Sequence, residues 1–147
     1  IVINNLAFAV DLMTRELRMG RDYYCSPSIE TGGVLASGSS NCVNGQSQIA
    51  FTDIRTGQRK AYRLHTGRIE QKVAGQDWEP LTSDQMNISN LTFNVSGIHT
   101  FSGGNVYQPN VTIAIQAERE TVTNANTDRL DTELNLQTSV IQRVLDV

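Results

Sequence analysis

The first twenty-four residues carry two apolar stripes at helical spacing, and a helix that must bury two faces has two partners to find. At about 3.6 residues per turn, Ile3, Leu6, Val10, Met13, Leu17 and Tyr24 fall on one line, while Phe8, Leu12, Met19 and Tyr23 fall on another about 140° around the cylinder. Only a narrow polar strip separates them. It holds Asn4, Asp11, Arg15, Arg18 and Asp22, with Asp11–Arg15 and Arg18–Asp22 spaced i to i+4 as weak ion pairs. The spacing predicts a helix over about residues 1–24, with one stripe on the chain's own sheet. Phe8, Leu12, Met19 and Tyr23 are then an assembly interface for another molecule.

Beyond the helix the period changes. Ser26 to Gln46 is rich in Gly, Ser and Asn and reads as loop. Ile49 and Phe51, then Tyr62 and Leu64, then Ile69 and Val73 alternate with polar neighbours, and Thr56-Gly57 and Thr66-Gly67 supply turns between them, so a three-stranded meander is expected. Trp78 precedes Pro80, whose missing N–H argues against a central strand, and is expected to plug the edge of the core. Leu91, Phe93 and Val95 form one further alternating run, and Val111, Ile113, Ile115 and Ala117 another. The polar stretch Glu118 to Thr132 reads as an exposed loop, and Leu134 to Val144 as a last strand. One helix followed only by strands gives a single domain over 1–147 of α+β class, a long N-terminal helix packed across an antiparallel sheet of about residues 47–147.

Composition narrows the function. Apolar residues make up 39% and charged residues 18%, with a net charge of −3 and a pI near 5.3, so no electrostatic footprint for nucleic acid or anionic lipid is present. Cys25 and Cys42 flank a segment with little means of ordering itself, and a disulfide between them is the economical reading, implying an oxidising compartment. The chain starts at Ile1 with a nearly uniform apolar run to Val10, which reads as the tail of something more hydrophobic.

Reactive chemistry is sparse. Four sequons, starting at Asn87, Asn90, Asn94 and Asn110, suggest a glycoprotein, yet strand alternation alone produces the same Asn-apolar-Ser/Thr pattern. His65 and His99 are isolated. Asp128, Asp131 and Glu133 are weak calcium candidates, because three carboxylates in a polar stretch approach the oxygen-rich set that calcium needs. No phosphate loop, no cofactor motif and no acid–base–nucleophile constellation stands out, and the chain is read as non-enzymatic.

The order of segments resembles a known family. Leu12-Met13-Thr14-Arg15-Glu16-Leu17-Arg18-Met19-Gly20, a cysteine soon after, Trp78-Glu79-Pro80-Leu81-Thr82 leading into Ile88-Ser89-Asn90-Leu91-Thr92-Phe93, and Gln108-Pro109-Asn110-Val111-Thr112-Ile113 are together similar to type IV pilin-like proteins. Minor pilins and J-type pseudopilins are the nearest kind. The resemblance implies a precursor trimmed by a leader peptidase and a hydrophobic helix half, upstream of Ile1, held in the inner membrane. It also implies partner pilin or pseudopilin subunits packed helix against helix, in a type IV pilus, type II secretion or competence filament at the bacterial cell surface. A secreted adhesion or ligand-binding module using the sequons, or the loops 97–108 and 118–132, is the alternative.

Overall fold

A computed structural model describes residues 2–98, 109–122 and 129–143. Helix α1 spans Val2–Arg18. Eleven strands follow: β1 (Gly20–Ser26), β2 (Glu30–Thr31), β3 (Val34–Leu35), β4 (Cys42–Gln46), β5 (Gln48–Asp53), β6 (Arg59–His65), β7 (Arg68–Val73), β8 (Glu79–Pro80), β9 (Asn87–Ser96), β10 (Asn110–Val122) and β11 (Arg129–Ile141). They form three antiparallel sheets: a five-stranded one in the order β1-β5-β6-β7-β8, a four-stranded one in the order β11-β10-β9-β4, and the β2-β3 hairpin.

This overturns the expected α+β layout of one long helix across one sheet. Strand structure dominates, it begins at Gly20 rather than near residue 47, and the helix is only 17 residues long. The helical wheel runs on to Tyr24 because Tyr23 and Tyr24 happen to fit its period, but the backbone has already left the helix. Asp22 sits at φ 53°, a left-handed conformation at the irregularity of β1 between Arg21 and Tyr24. At Gly20 the chain passes so close to its neighbours that a Cβ would lie 2.8 Å from the Phe51 ring, so the change of direction needs glycine for space.

The two larger sheets enclose the main core. Ile49, Phe51, Tyr62 and Ile69 face inward from one, and Leu91, Phe93, Val95, Val111, Ile113, Ile115 and Ala117 from the other. Helix α1 contacts β1, β5 and β11, members of both sheets, and buries Leu6, Ala9, Met13 and Leu17 in that same core, with Val10 partly buried beside them. The helical part of the first stripe therefore packs within the subunit as expected, although the side chain of Ile3 lies outside the described residues and Tyr24, on β1, packs on the other face of the five-stranded sheet. At about 25 cal/mol per Å² of apolar surface, each fully buried Leu or Met contributes roughly 1.5–3 kcal/mol.

The Ser26–Gln46 segment also departs from expectation. Gly32 and Gly33 both take positive φ, 59° and 81°, as the two-residue turn of a hairpin demands. This hairpin covers the opposite face of the five-stranded sheet, where Ile29 and Leu35 pack with Ala50 and Ala61. Trp78 joins this smaller cluster rather than the main core, under the Arg63 guanidinium, which lies 4.1 Å from its ring centroid. Lys72, buried beneath the hairpin, pairs with Glu30 and donates to the Gly33 carbonyl at 3.0 Å. Arg59 pins the segment further, donating to the carbonyls of Asp22, Ala36 and Gly38 at 2.6, 2.8 and 3.0 Å.

The meander is found where the alternation placed it, as β5, β6 and β7, and Pro80 lies in the short edge strand β8. Cys25 and Cys42 are bonded, and since β1 and β4 belong to different sheets, the disulfide staples one sheet to the other. Glu118 to Thr132 is not a plain loop: β10 extends to Val122 and β11 starts at Arg129. Pairing of β9 with β10 stops at Asn87↔Glu118, so beyond that point the β10–β11 ribbon has no third described strand alongside. No sheet face there calls for alternating apolar residues. The far edge of β11 is unpaired among the described residues.

Reduction of Cys25–Cys42 should destabilise the protein by about 3 kcal/mol, the loop-closure value for a separation of 17 residues. Urea unfolding with and without reductant, at fixed pH, measures this; equal midpoints would mean that the staple contributes nothing.

Candidate functional site

The C-terminal end of an α-helix leaves four carbonyls without helical partners, and here groups from elsewhere in the chain meet those of Leu17 and Arg18, and of Met19 and Gly20 just beyond the helix. The Arg143 N–H donates to the Arg18 carbonyl and the Ile54 N–H to the Met19 carbonyl, both at 2.9 Å. Gln142 Nε2 donates to the Gly20 carbonyl at 2.9 Å. The Tyr23 hydroxyl, returning from β1, is shared between the carbonyls of Leu17 and Gly20. Burial pushes the Tyr23 phenol well above its usual range, so it stays a donor.

These contacts converge on a depression of about 380 Å³ lined by Leu12, Arg15, Glu16, Arg18, Met19, Arg55 and Arg143. Four guanidinium groups surround a partly apolar floor. Arg15 pairs with Asp11 at 3.1 Å, but both are largely exposed, so that pair is weak. Arg55 is held by Asp53, through Nε to Oδ1 and Nη2 to Oδ2, each at 3.2 Å. Glu16 is matched by Lys60 at 2.9 Å. Arg18 and Arg143 have no ion-pair partner among the described residues, so the groove keeps an excess of positive charge in a chain whose overall charge is negative.

Asp53 is the hidden support of this wall. Its side chain is fully buried, receiving Lys60 Nζ at 3.0 Å and the Arg55 N–H at 2.9 Å in addition to the Arg55 guanidinium. Burial alone would raise its pKa, but the hydrogen bonds from Arg55 and Lys60 outweigh it and hold the carboxyl at about 2. Burial lowers the affinity of Lys60 for its proton, and the bonds to Glu16 and Asp53 more than restore it. The Tyr62 hydroxyl is buried among the same groups with no hydrogen-bond partner among the described residues. Burial and the nearby Glu16 carboxylate push its pKa far upward.

Compared with known protein families, curated proteins and solved structures, the chain finds no match. What its surface does must be argued from its own residues.

The four residues expected to form an assembly interface part company. Phe8 is 55% exposed on the outward side of α1. Leu12 and Met19 are half-buried and line the groove. Tyr23 is no interface residue, because it lies in β1, 1% exposed, with its ring in the core. Cys25 and Cys42 are joined. Of the calcium candidates, Asp128 and the side chain of Asp131 lie outside the described residues, while Glu133 is exposed on β11. Among the described residues no group of three His, Cys, Asp or Glu is placed to hold a metal. His65 is exposed at the end of β6, and His99, with nearly all of the 97–108 loop, is outside the described residues.

Arg55, Arg143, Asp53 and Lys60 were missed. The Asp53-Ile54-Arg55 spacing before Thr56-Gly57 fits a turn in which an aspartate accepts a backbone N–H two residues on, and that signal was readable. Nothing in the local sequence around Arg143 links it to Arg18, 125 positions away.

Asp53 has a depressed pKa, so its contribution is full above its unfolded value of 3.8 and is lost as pH falls through about 2. Stability should thus decline from pH 4 to pH 2, and Asp53→Asn should flatten that decline while costing about 2–4 kcal/mol at pH 7. Urea unfolding as a function of pH checks both. Tyr62→Phe should do the opposite and stabilise by about 1 kcal/mol, since it removes an unpaired buried hydroxyl; a loss of that size in thermal or urea unfolding would show that the hydroxyl has a partner.

Proposed function

We propose that the protein is a non-enzymatic structural subunit of a bacterial cell-surface filament, of the minor pilin or pseudopilin kind, that packs against sibling subunits through the outward face of its N-terminal helix. The observation that carries this reading is the division of α1: Leu6, Ala9, Met13 and Leu17 are buried in the domain, while Phe8 stands exposed one turn before half-buried Leu12. A single exposed apolar residue is ordinary on any protein. Its place gives it weight, on a helix whose inner face is already satisfied and whose outer line, Phe8, Leu12 and Met19, continues to the groove.

Two further features support the reading. The Cys25–Cys42 bond fits an oxidising compartment outside the cytosol. The motifs quoted above resemble those of minor pilins over essentially the whole chain. No described helix is long and apolar enough to cross a membrane; in this reading the resemblance places the membrane-held helix half upstream of Ile1. The groove lining offers guanidinium groups and apolar surface, which suits holding another chain more than transforming a substrate.

The alternative, a secreted adhesion or ligand-binding module, draws on exposed Asn87, Asn90 and Asn110, three of the sequon asparagines. Phe8→Glu separates the two. As a surface change it should leave stability within about 0.5 kcal/mol, yet it should remove co-purification with sibling filament subunits from the native host, because an unpaired charge between packed helices costs several kcal/mol. If the variant still enters the filament, or the wild type is recovered as a glycosylated free monomer, the module reading replaces this one.

A further inference from the structure

The positive groove has a counterpart elsewhere on the same molecule. In the register of β10 with β11, Glu118 lies directly opposite Glu133, and Glu120 directly opposite Asp131. Glu118 and Glu133 thus form a like-charged pair at the point where the pairing of β9 with β10 ends. Directly opposed like charges destabilise a strand pair. Glu118 and Glu133 are exposed, and no cation among the described residues is paired with either.

The two charged sites stand toward opposite ends of β11. Arg143 follows β11 directly and is anchored to α1 through the Arg18 carbonyl, whereas Glu133 lies ten residues back along β11, roughly 30 Å at strand rise. A molecule cannot close that distance on itself. Two molecules arranged head to tail can.

We propose that the groove formed by Arg15, Arg18, Arg55 and Arg143 takes the acidic face of the β10–β11 ribbon from a second copy of this chain. The occupant is argued from charge: around Leu12 and Met19 the groove holds Arg18 and Arg143 without ion-pair partners among the described residues, and the ribbon supplies the exposed carboxylates of Glu118 and Glu133, which planar guanidinium groups bind in pairs. The contact is heterologous, each copy offering a groove at one end and a ribbon at the other, so it repeats along a line instead of closing on a dimer. Phe8 takes no part in it, whereas Leu12 and Met19 on the groove floor also belong to the outward line of α1.

Sedimentation equilibrium of the 147-residue chain tests this. At about 20 mM salt the wild type should self-associate weakly, with a Kd on the order of 0.1–1 mM, and return to monomer at about 0.5 M salt as exposed charges are screened. Arg18→Glu with Arg143→Glu should weaken association at least about tenfold, as should Glu118→Arg with Glu133→Arg. An equimolar mixture of the two variants should associate again, since each then meets opposite charge at both ends. Amide shifts of the labelled wild type over a dilution series guard against misfolded variants: they should move at residues 15–18, 143, 118 and 133 and not at Phe8. A wild type that stays monomeric at low salt, variants that associate as the wild type does, a mixture that fails to recover, or shifts centred on Phe8 would each overturn the proposal.

Discussion

The fold hangs on how the end of α1 is satisfied. The last carbonyls of α1 cannot bond within the helix, and those of Leu17 and Arg18 are taken by Tyr23 in β1 and Arg143 after β11, while Ile54 after β5 and Gln142 take the carbonyls of Met19 and Gly20 just beyond it. β1 and β5 belong to one large sheet and β11 to the other, so a requirement of helix geometry becomes a joint between sheets. Each such bond is worth about 1 kcal/mol, and leaving a carbonyl buried and unpaired costs more. The helix therefore cannot shift without loosening both sheets, and the disulfide ties them again through β1 and β4.

Much of this was legible where one face of an element is covered and the other wet. The meander of Ile49, Phe51, Tyr62 and Ile69, the strand through Phe93 and the strand through Ile113 announced themselves by alternation, and all point into the main core. The Leu6, Met13 and Leu17 stripe did the same at helical spacing. Failure came where the pattern has another cause. Tyr23 matches the wheel, but its position serves a hydroxyl that caps the helix it was assigned to. Gly32-Gly33 lies in a stretch whose composition reads as loop, although that pair is what a tight hairpin turn requires.

The groove was less visible because its parts are distant in sequence. Arg15 and Arg18 read as part of the polar strip of the helix, which they also are. Arg55 comes from a turn after β5 and Arg143 from beyond the last strand, and only the packing of α1 against both sheets brings them beside Leu12 and Met19. Asp53 illustrates the same point in depth: an aspartate flanking a turn is ordinarily solvated, yet burial with Lys60 and Arg55 makes it the anchor of the groove wall.

The open edge of β11 has one more consequence. A long strand with free backbone donors and acceptors is a template for indiscriminate pairing, which natural sheets deter by placing charge beside the edge. With Glu133 on that strand and Glu118 across from it, two identical ribbons brought side by side in register would bring carboxylates together. The like-charged pair thus works against amyloid-like stacking of the ribbon, turning encounters away from the strand edge.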